Sequence, residues 1–402
     1  MRRRWWAGLL GLGAYGLGPY AAVQVGNWGL VREGNRKQRK IALTFDDGPD
    51  PLGTPNVLDA LAAAGMHATF FVLPERAEAH PGLIRRMLEE GHQVEAHTEV
   101  HRHAWTRTPW GTFQDVRRAV QRVAAVTGQR VTLQRPAHGA YTLGTVLGQR
   151  AAGVTGAHWS IEGRDWNRRF TSAQVRERLN DLLIPGAVTV LHDAGPGAAA
   201  TLEMLPDFLA DLKARGYSSV TLGKLPGAAP QGKAELKRRL FTALDDVYDR
   251  LEGVRFAGNR RDNLFRIGPH AFPLTEMTLN DGTRVRRGAK AIEFHVNNSL
   301  LVDIGPRRGV RQAPQDFRAV VHEWRHHPSF QEAEVIYCLS ALSPLLKLLK
   351  FETYDLPTTD ARRLQGWANV LRRAYGTQNE AQTPRLSILS RERFMELFGD
   401  RL

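Results

Sequence analysis

Short β-type runs alternate with helical patterns between residues 39 and 222, and this alternation constrains the fold more than any other feature of the sequence. Strands that alternate with helices predict a parallel sheet, because each helix returns the chain across one face of that sheet. We therefore expect an α/β fold, a complete or incomplete barrel. Its predicted strands span residues 40–45, 68–73, 93–97, 131–135, 155–161, 187–191 and 218–222.

Titratable side chains follow most of these predicted strands. In α/β barrels the chemistry lies at the carboxyl ends of the strands, so such side chains converge on one rim. The residues expected at this rim are Asp46, Asp47, His97, Arg135, Asp165 and His192.

Two of the rim positions suggest a metal site. His97 and His101 are four residues apart, and one helical turn would bring both imidazoles to the same face. With Asp47 they would form a two-histidine, one-carboxylate site with open positions, and Asp46 would remain as a base. Each pattern alone is weak, since a histidine pair also occurs on surface helices and paired aspartates often form turns or caps. Their coincidence at strand ends favours the metal site.

Five short motifs contain these residues. They are Thr-Phe-Asp-Asp-Gly-Pro at 44–49, His-Thr-Glu-Val-His at 97–101, Arg-Pro-Ala-His-Gly at 135–139, Asp-Trp at 165–166 and Leu-His-Asp at 191–193. In this order they resemble the motifs of polysaccharide deacetylases, the NodB-homology domain of carbohydrate esterase family 4, over residues 39–225. The resemblance implies a distorted (β/α) barrel, a divalent metal and the removal of acetyl groups from N-acetylated or O-acetylated sugars.

The resemblance also implies a role for each residue of the metal site. Asp47, His97 and His101 would hold Zn²⁺, or alternatively Co²⁺ or another divalent ion. The metal would polarise the acetyl carbonyl and lower the pKa of its bound water from about 15.7 towards 7. Asp46, kept ionised by the metal and by Arg135, would take the proton of that water.

The remaining motif residues are implied to act on the leaving group and on the acetyl group. His192, oriented by Asp165, would protonate the departing amine, because an unprotonated amide nitrogen leaves poorly. The backbone N–H of His138 would stabilise the oxyanion. Trp166 and Leu191 would wall the pocket that accepts the acetyl methyl.

Two positions depart from the family pattern. The third motif usually reads Pro-Pro-Tyr/Trp-Gly, where this chain has Pro136-Ala137-His138-Gly139, and Glu162 stands where the fourth motif often begins with Asp. Neither departure removes a metal ligand, the base or the acid, so an active enzyme is expected. The alternative from another class is a non-catalytic, glycan-binding cell-envelope protein built on the same barrel.

An uncharged stretch separates Arg4 from Arg32. Because about 20 residues cross a bilayer as a helix, residues 5–31 are long enough to span one. We predict that residues 1–38 form a single-pass membrane anchor, with the catalytic domain on the extracytoplasmic side of the cell membrane. A cleaved signal peptide and a secreted enzyme are the alternative, although Tyr20-Ala21-Ala22 matches a cleavage site poorly.

The net charge of +14 does not indicate a nucleic-acid partner. About half of the excess flanks the N-terminal segment, and the rest is expected to be spread evenly, whereas nucleic-acid binders concentrate it in a stripe with aromatic residues. The expected partners are an acetylated polysaccharide or oligosaccharide and, through the N-terminal segment, the membrane. The single cysteine, Cys338, excludes an internal disulfide.

A Pro- and Gly-rich stretch at residues 223–230 predicts a linker, placed at 226–232, before a smaller α+β domain at 233–402. Within this domain we expect a hairpin turn at residues 280–283 and a strand at 291–296 that carries Glu293 and His295 on one face. Helices are predicted at residues 234–251, 315–326, 332–350 and 361–375. The domain weakly resembles the YkoP-like domain, a resemblance that implies no chemistry.

Residues 322–326 read His-Glu-Trp-Arg-His and match the zinc-protease pattern H-E-x-x-H. Arg325 places a cation between the two would-be ligands, and Pro328 ends the helix soon after. A zinc protease is therefore only a remote alternative, and a surface helix is the favoured interpretation.

Overall fold

The computed structural model describes residues 13–232, 242, 246–247, 249–374 and 382–399. The chain divides into two units, residues 1–236 and residues 237–402. Each unit has apolar clusters of its own, so each is treated below as a separate folding unit.

The first unit contains one parallel sheet of eight strands. Their order across the sheet is β1-β7-β6-β5-β4-β3-β9-β8, while β2 pairs with β10 in a separate two-stranded sheet. The α/β fold expected from the sequence is therefore confirmed, as an incomplete barrel. The strands are β1 (Leu30–Val31), β2 (Lys40–Ile41), β3 (Leu43–Asp46), β4 (Ala68–Val72), β5 (Gln93–Ala96), β6 (Leu133–Gln134), β7 (Thr155–Ala157), β8 (Ile161–Glu162), β9 (Thr189–His192) and β10 (Ser218–Ser219).

Helices connect these strands. Thr108, Thr142 and Thr171 cap three of them, each side chain accepting a hydrogen bond from the backbone N–H three residues later. The helices span Thr54–Ala64, Pro74–Ala79, Pro81–Glu89, Pro109–Thr127, Leu143–Ala152, Ser172–Leu182 and Ala198–Ala214.

Side-chain alternation along β3 separates the core from the site. Leu43 and Phe45 belong to the large apolar cluster that also contains residues of the helices. Thr44 and Asp46 project to the opposite face of the strand, since successive side chains of a strand point to opposite faces. The same strand therefore supplies the core on one face and the polar rim on the other.

The N-terminal segment contributes a strand that the sequence does not predict. Leu30 and Val31 pair in parallel with Gly156 and Ala157 of β7. The predicted membrane span of residues 5–31 is therefore wrong at its end, because these two residues belong to the sheet. Residues 5–12 lie outside the described residues, and residues 13–17 and 20–25 form short helices. Within the described part of the chain, no helix has the length and apolarity needed to cross a bilayer.

The second unit is built on a six-stranded mixed sheet with the order β11-β12-β15-β16-β18-β17. Strands β13 and β14 form a separate hairpin around residues 280–283, as predicted. The strands are β11 (Arg255–Phe256), β12 (Phe265–Ala271), β13 (Met277–Thr278), β14 (Arg284–Val285), β15 (Lys290–Val296), β16 (Val335–Ser340), β17 (Glu352–Asp355) and β18 (Arg385–Ser390).

The helices of the second unit are Asn298–Ile304, Pro306–His326, Ser343–Leu348, Thr358–Ala374 and Arg391–Phe398. The predicted helix at residues 332–350 is wrong, because its first half forms the buried strand β16 and only Ser343–Leu348 is helical. Most of the predicted helix at residues 234–251 lies outside the described residues. The α+β character expected for this domain is confirmed.

Candidate active site

Three ligand-type side chains converge at the carboxyl ends of β3 and β5. Asp47 follows β3 with a left-handed backbone (φ 74°), and His97 directly follows β5. Asp47 Oδ1 lies 3.4 Å from His97 Nε2 and 3.1 Å from His101 Nε2. One ligand atom of each residue lies within 4.8 Å of those of the other two. The structure thus brings together the three residues predicted to hold a metal.

This cluster fits a divalent metal. Asp47 Oδ1 is buried without a hydrogen-bond partner, which costs free energy unless an ion or a water completes the site. Burial opposes ionisation, but the imidazoles of His101 and His97 beside the carboxylate hold the pKa of Asp47 below its usual range, so the carboxylate is available as a ligand. Among the described residues, this is the one group of three His, Cys, Asp or Glu side chains close enough to hold an ion.

Asp46 lies beside the ligand cluster, on the inner face of β3. Arg135 Nη1 donates to Asp46 Oδ1 at 2.6 Å and to Thr44 Oγ1 at 2.7 Å. Arg135 is fully buried, and its guanidinium lies 4.0 Å above the centre of the Phe71 ring. The buried ion pair fixes the orientation of the Asp46 carboxylate next to the ligands.

His192, at the end of β9, is held by Asp165. Its Nδ1 lies 3.0 Å from both carboxylate oxygens, and the carboxylate also accepts the His192 backbone N–H at 2.8 Å and the Thr201 hydroxyl at 2.7 Å. Burial alone would lower the pKa of His192, but the hydrogen bond and charge of Asp165, with Asp46 and Asp47 adding to it, raise the pKa to about 9. The imidazole is therefore protonated at neutral pH and can donate a proton.

The register of β3 and β9 brings the predicted base and the predicted acid to one face of the sheet. Asp46 pairs with His192 and Phe45 pairs with Leu191. Because side chains alternate along a strand, Asp46 and His192 project to one side and Phe45 and Leu191 to the other. Leu191 is fully buried in the apolar layer with Phe45, rather than beside His192. A pocket-wall role for Leu191 stays a prediction.

His138 borders the ligand cluster from another turn. Its backbone is left-handed (φ 58°, ψ 14°), a conformation that residues other than glycine seldom adopt. The centre of its ring lies 4.7 Å from that of His101 and 5.5 Å from that of His103. Its side chain therefore reaches the rim, while the use of its backbone N–H as an oxyanion donor stays a prediction.

Trp166 presents an oriented aromatic ring next to Asp165. Its backbone N–H donates to Asp165 Oδ1 at 3.0 Å, and its indole N–H donates to Glu162 Oε1 at 2.8 Å. Glu162, the departure from the family's fourth motif, therefore has a local function in fixing the indole. The side chain is about half exposed, and its role as a wall of the pocket for the acetyl methyl stays a prediction.

The segment between His97 and His101 is held by charged side chains that the sequence did not identify. Asp115 accepts the backbone N–H of Val100 at 3.1 Å. Arg122 forms an ion pair with Glu99 at 2.7 Å. Both partners come from the helix Pro109–Thr127, and no motif in that helix indicates which loop it supports.

Asp193 belongs to the fifth motif, but sequence reasoning assigned it no role. Its side chain is fully buried and accepts a hydrogen bond from the Thr54 hydroxyl, and burial raises its pKa to about 7. A Cβ at Gly48, next to Asp47, would come within 2.3 Å of its carboxylate. The glycine of the first motif is therefore required by this close approach.

The H-E-x-x-H segment does not form a metal site. Glu323 is buried, accepts the backbone N–H of Gly258 and forms an ion pair with Arg255. His322 and His326 are exposed, and His326 Nδ1 lies 2.8 Å from the backbone oxygen of His322. The would-be base therefore stabilises the second unit and does not face the histidines.

The fold and the rim define a NodB-type barrel, and comparisons with known proteins identify its family. The family model for polysaccharide deacetylase matches residues 33–157, and that for the YkoP domain matches residues 235–398. The chitooligosaccharide deacetylase of Rhizobium leguminosarum bv. trifolii is 32% identical over 198 residues, which cover 49% of this chain and 87% of that protein. The protein belongs to the polysaccharide deacetylase family.

Two further similarities concern the same part of the chain. The peptidoglycan-N-acetylglucosamine deacetylase PgdA of Listeria monocytogenes is 32% identical over 210 residues, 52% of this chain and 43% of that protein. The chain thus spans less than half the length of this relative. The crystal structure of the Bc1960 peptidoglycan N-acetylglucosamine deacetylase is 25% identical, with a TM-score of 0.48, over 52% of this chain and 98% of that one.

Proposed function

We propose that the protein is a metal-dependent deacetylase that removes N-acetyl groups, or alternatively O-acetyl groups, from sugars of a cell-envelope or extracellular polysaccharide. The observation that carries this proposal is the convergence of the ligand cluster, Asp46 and the His192–Asp165 pair at one rim. Amide hydrolysis requires an attacking water, a stabilised oxyanion and a protonated leaving group. The names of the relatives, which refer to peptidoglycan and to chitooligosaccharides, support an acetylated amino sugar as the substrate.

Asp47, His97 and His101 would hold the metal. We propose Zn²⁺, because two imidazoles and one carboxylate with open positions suit this ion, with Co²⁺ or another divalent ion as the alternative. When bound, the metal would supply polarisation of the acetyl carbonyl and a lower pKa for water.

The proton transfers fall to the chain's own residues. Asp46, oriented by Arg135, takes a proton from the attacking water. His192 gives its proton to the departing amine, and Asp165 keeps the imidazole protonated until then. The backbone N–H of His138 donates to the carbonyl oxygen as its negative charge develops.

Acetate release tests this proposal against the non-catalytic alternative. The full chain, with zinc restored, should release acetate from N-acetylglucosamine oligomers or from another acetylated glycan in a panel that includes peptidoglycan and acetylated xylan. If metal is bound and none of these glycans yields acetate, the protein is a glycan-binding member of the family. Comparison across the panel would also separate N- from O-deacetylation.

We further propose that the protein acts on the extracytoplasmic side of the cell membrane, to which its N-terminal segment attaches it. The uncharged stretch from residue 5 onwards supports the attachment to a membrane. The full chain should stay in the membrane fraction after a high-salt wash. Release by salt would indicate electrostatic attachment, and a processed chain lacking residues 5–22 would indicate secretion.

A further inference from the structure

One side of the catalytic unit exposes apolar side chains from three segments of the chain. We define the apolar face by six residues, each between 41% and 66% exposed: Leu17, Tyr20, Trp105, Trp110, Leu143 and Leu147. Single exposed apolar residues are normal in proteins, whereas a contiguous group of them marks an interaction surface.

The N-terminal segment packs against the other two segments of the apolar face. The Tyr20 ring meets the Trp105 ring edge-on, with 5.7 Å between their centres. The Tyr15 hydroxyl lies 3.4 Å from Thr112 Oγ1, on the helix Pro109–Thr127. Residues 13–20 therefore lie on the barrel, next to Trp105 and to the start of this helix.

The two helices of the apolar face adjoin at their first turns. A Cβ at Gly144 would lie only 2.7 Å from the backbone oxygen of Pro109, so the helix Leu143–Ala152 contacts the start of Pro109–Thr127 closely. Trp110 and Leu143 directly neighbour these two contact residues, and Leu147 lies one turn further along the second helix. The six side chains therefore form one patch.

Positive charge is concentrated in the stretch of sequence that supplies two segments of this patch, contrary to the even distribution expected from the sequence, although Arg135 and Arg122 pair with acidic residues outside that stretch. Residues 101–160 contain eight arginines and one acidic residue, Asp115, which is buried and paired with Arg107. Arg117 lies at the border, with its guanidinium 5.6 Å from the centre of the Phe113 ring, which stacks on Trp110 at 5.1 Å. Exposed tryptophans and leucines flanked by arginines match a bilayer with anionic headgroups.

The chain that precedes the apolar face has the same chemistry. Residues 1–12 carry Arg2, Arg3 and Arg4, then Trp5 and Trp6, and no acidic residue. They lead directly into residues 13–20, which form one edge of the patch. This continuity favours a lipid surface over a second copy of the chain as the occupant.

We propose that the apolar face rests on the surface of an anionic lipid bilayer and places the catalytic rim beside the membrane. The link to the rim is short: Trp105 lies two residues after His103, whose ring stacks on His138 next to the ligand His101. The substrate would then be an acetylated glycan held close to the membrane surface. This inference rests on the membrane location proposed above, but not on acetate release.

Fluorescence quenching by lipid tests the orientation in the full chain. A Leu147→Cys variant, labelled with an environment-sensitive maleimide, is reconstituted into vesicles of phosphatidylcholine and phosphatidylglycerol in equal parts. The native Cys338 is buried, so the label reports on the introduced thiol. The matched control is Leu348→Cys, an exposed leucine of the second unit. Brominated lipids should quench the label at 147 and leave the label at 348 unquenched.

Several results would overturn the proposal. The first is an unquenched label at 147, and the second is equal quenching at both positions. The third is burial of position 147 that depends on protein concentration but not on lipid, which would indicate self-association. Displacement of the face from the vesicles by DNA at equal phosphate concentration would indicate a nucleic-acid surface instead.

The Arg117→Gln variant tests the contribution of charge. It should lower the ratio of molecules whose apolar face contacts the bilayer to those whose face does not about fivefold, since one cation near an anionic surface contributes about 1 kcal/mol. No effect of Arg117→Gln, or equal quenching in pure phosphatidylcholine, would refute the electrostatic part. An enzyme inactive on every glycan but quenched at 147 would leave this inference standing.

Discussion

The molecule has two pairs of histidines in which the partners are four residues apart, and the surroundings of the two pairs differ completely. His97 and His101 lie after β5, beside Asp47 from another strand, whereas His322 and His326 lie on one exposed helix face. The rings of the second pair are the closer ones, with centres 4.6 Å apart against 5.5 Å in the first. Proximity of two imidazoles therefore does not make a metal site. What distinguishes the first pair is a third candidate ligand, Asp47, which the sheet brings in from 50 residues away.

The acidic residues of the two regions explain the difference further. Asp46 and Asp47 are adjacent, yet the end of β3 lets one point to Arg135 and the other to the histidines. On a regular helix, Glu323 is rotated about 100° from His322, and this rotation turns it into the core of its unit. A strand end can thus present neighbouring carboxylates to different partners, while in this helix Glu323 is turned away from the two histidines towards Gly258 and Arg255.

Removing one histidine from each pair should give the largest contrast. His97→Ala takes away a buried ligand, so both bound metal and acetate release should be lost, the latter by more than the 10²–10⁴-fold typical of losing a general base. His322→Ala is the matched control and should leave both unchanged. Metal content by elemental analysis and acetate release measure the two effects. A loss of metal in His322→Ala would reopen the protease interpretation.

The adjacent aspartates should fail in different ways. Asp46→Asn keeps the three ligands, so metal should remain while turnover falls by about 10²–10⁴-fold. Asp47→Asn weakens the ligand cluster, so metal content and activity should fall together, with partial rescue by excess zinc. Metal titration alongside acetate release separates the two. If Asp46→Asn lost the metal and Asp47→Asn kept it, the two roles would be reversed.

The next effect concerns pH. With its pKa raised from 6.5 to about 9, His192 stays protonated across neutral pH, so its pairing with Asp165 adds stability below about pH 6.5 that is lost as pH rises through 9. Asp165→Asn removes the charge that raises this pKa, and burial then favours the neutral imidazole. The alkaline limb of kcat/KM should move to lower pH, with a loss of roughly 30-fold near pH 8. An alkaline limb unchanged in Asp165→Asn would show that another group is the acid.

The strands that carry the motifs could be predicted because their β-type runs are separated by clear helical patterns. The strand β1 could not be predicted, because Leu30 and Val31 lie at the end of an uncharged stretch that is long enough to be interpreted as a membrane span. Only their pairing with β7 shows that these two residues belong to the sheet. The buried strand β16 was assigned to a helix because a continuous apolar run suits either element.

Within the site, the spacing of residues in the sequence was enough to predict those that lie directly at the ends of strands. Thr44 could have been recognised as a partner of Arg135 from its alternation with Asp46 along β3. Thr201 and Asp115 could not, because each reaches its partner from a helix whose packing is a tertiary property. The positions that were missed are thus the supports of the site and not its reacting groups.

The smallest effect is expected at Glu323, and it is a loss of stability without a loss of activity. Glu323→Ala leaves the backbone N–H of Gly258 without its acceptor and Arg255 without its ion-pair partner. The free energy of unfolding of the second unit should fall by about 1–3 kcal/mol. Glu323→Gln retains an amide oxygen as acceptor and should cost less. Urea unfolding, followed together with acetate release, measures both quantities.

A zinc protease would lose activity in both of these variants. There the carboxylate would be the base, so Glu323→Gln, which keeps the shape but removes the charge, would abolish peptide-bond hydrolysis while sparing stability. In the structure the carboxylate is surrounded by a backbone N–H and a guanidinium, so its loss should be felt in folding. Whether these variants lose stability or peptide-bond hydrolysis therefore decides whether the helix Pro306–His326 supports the fold or carries chemistry.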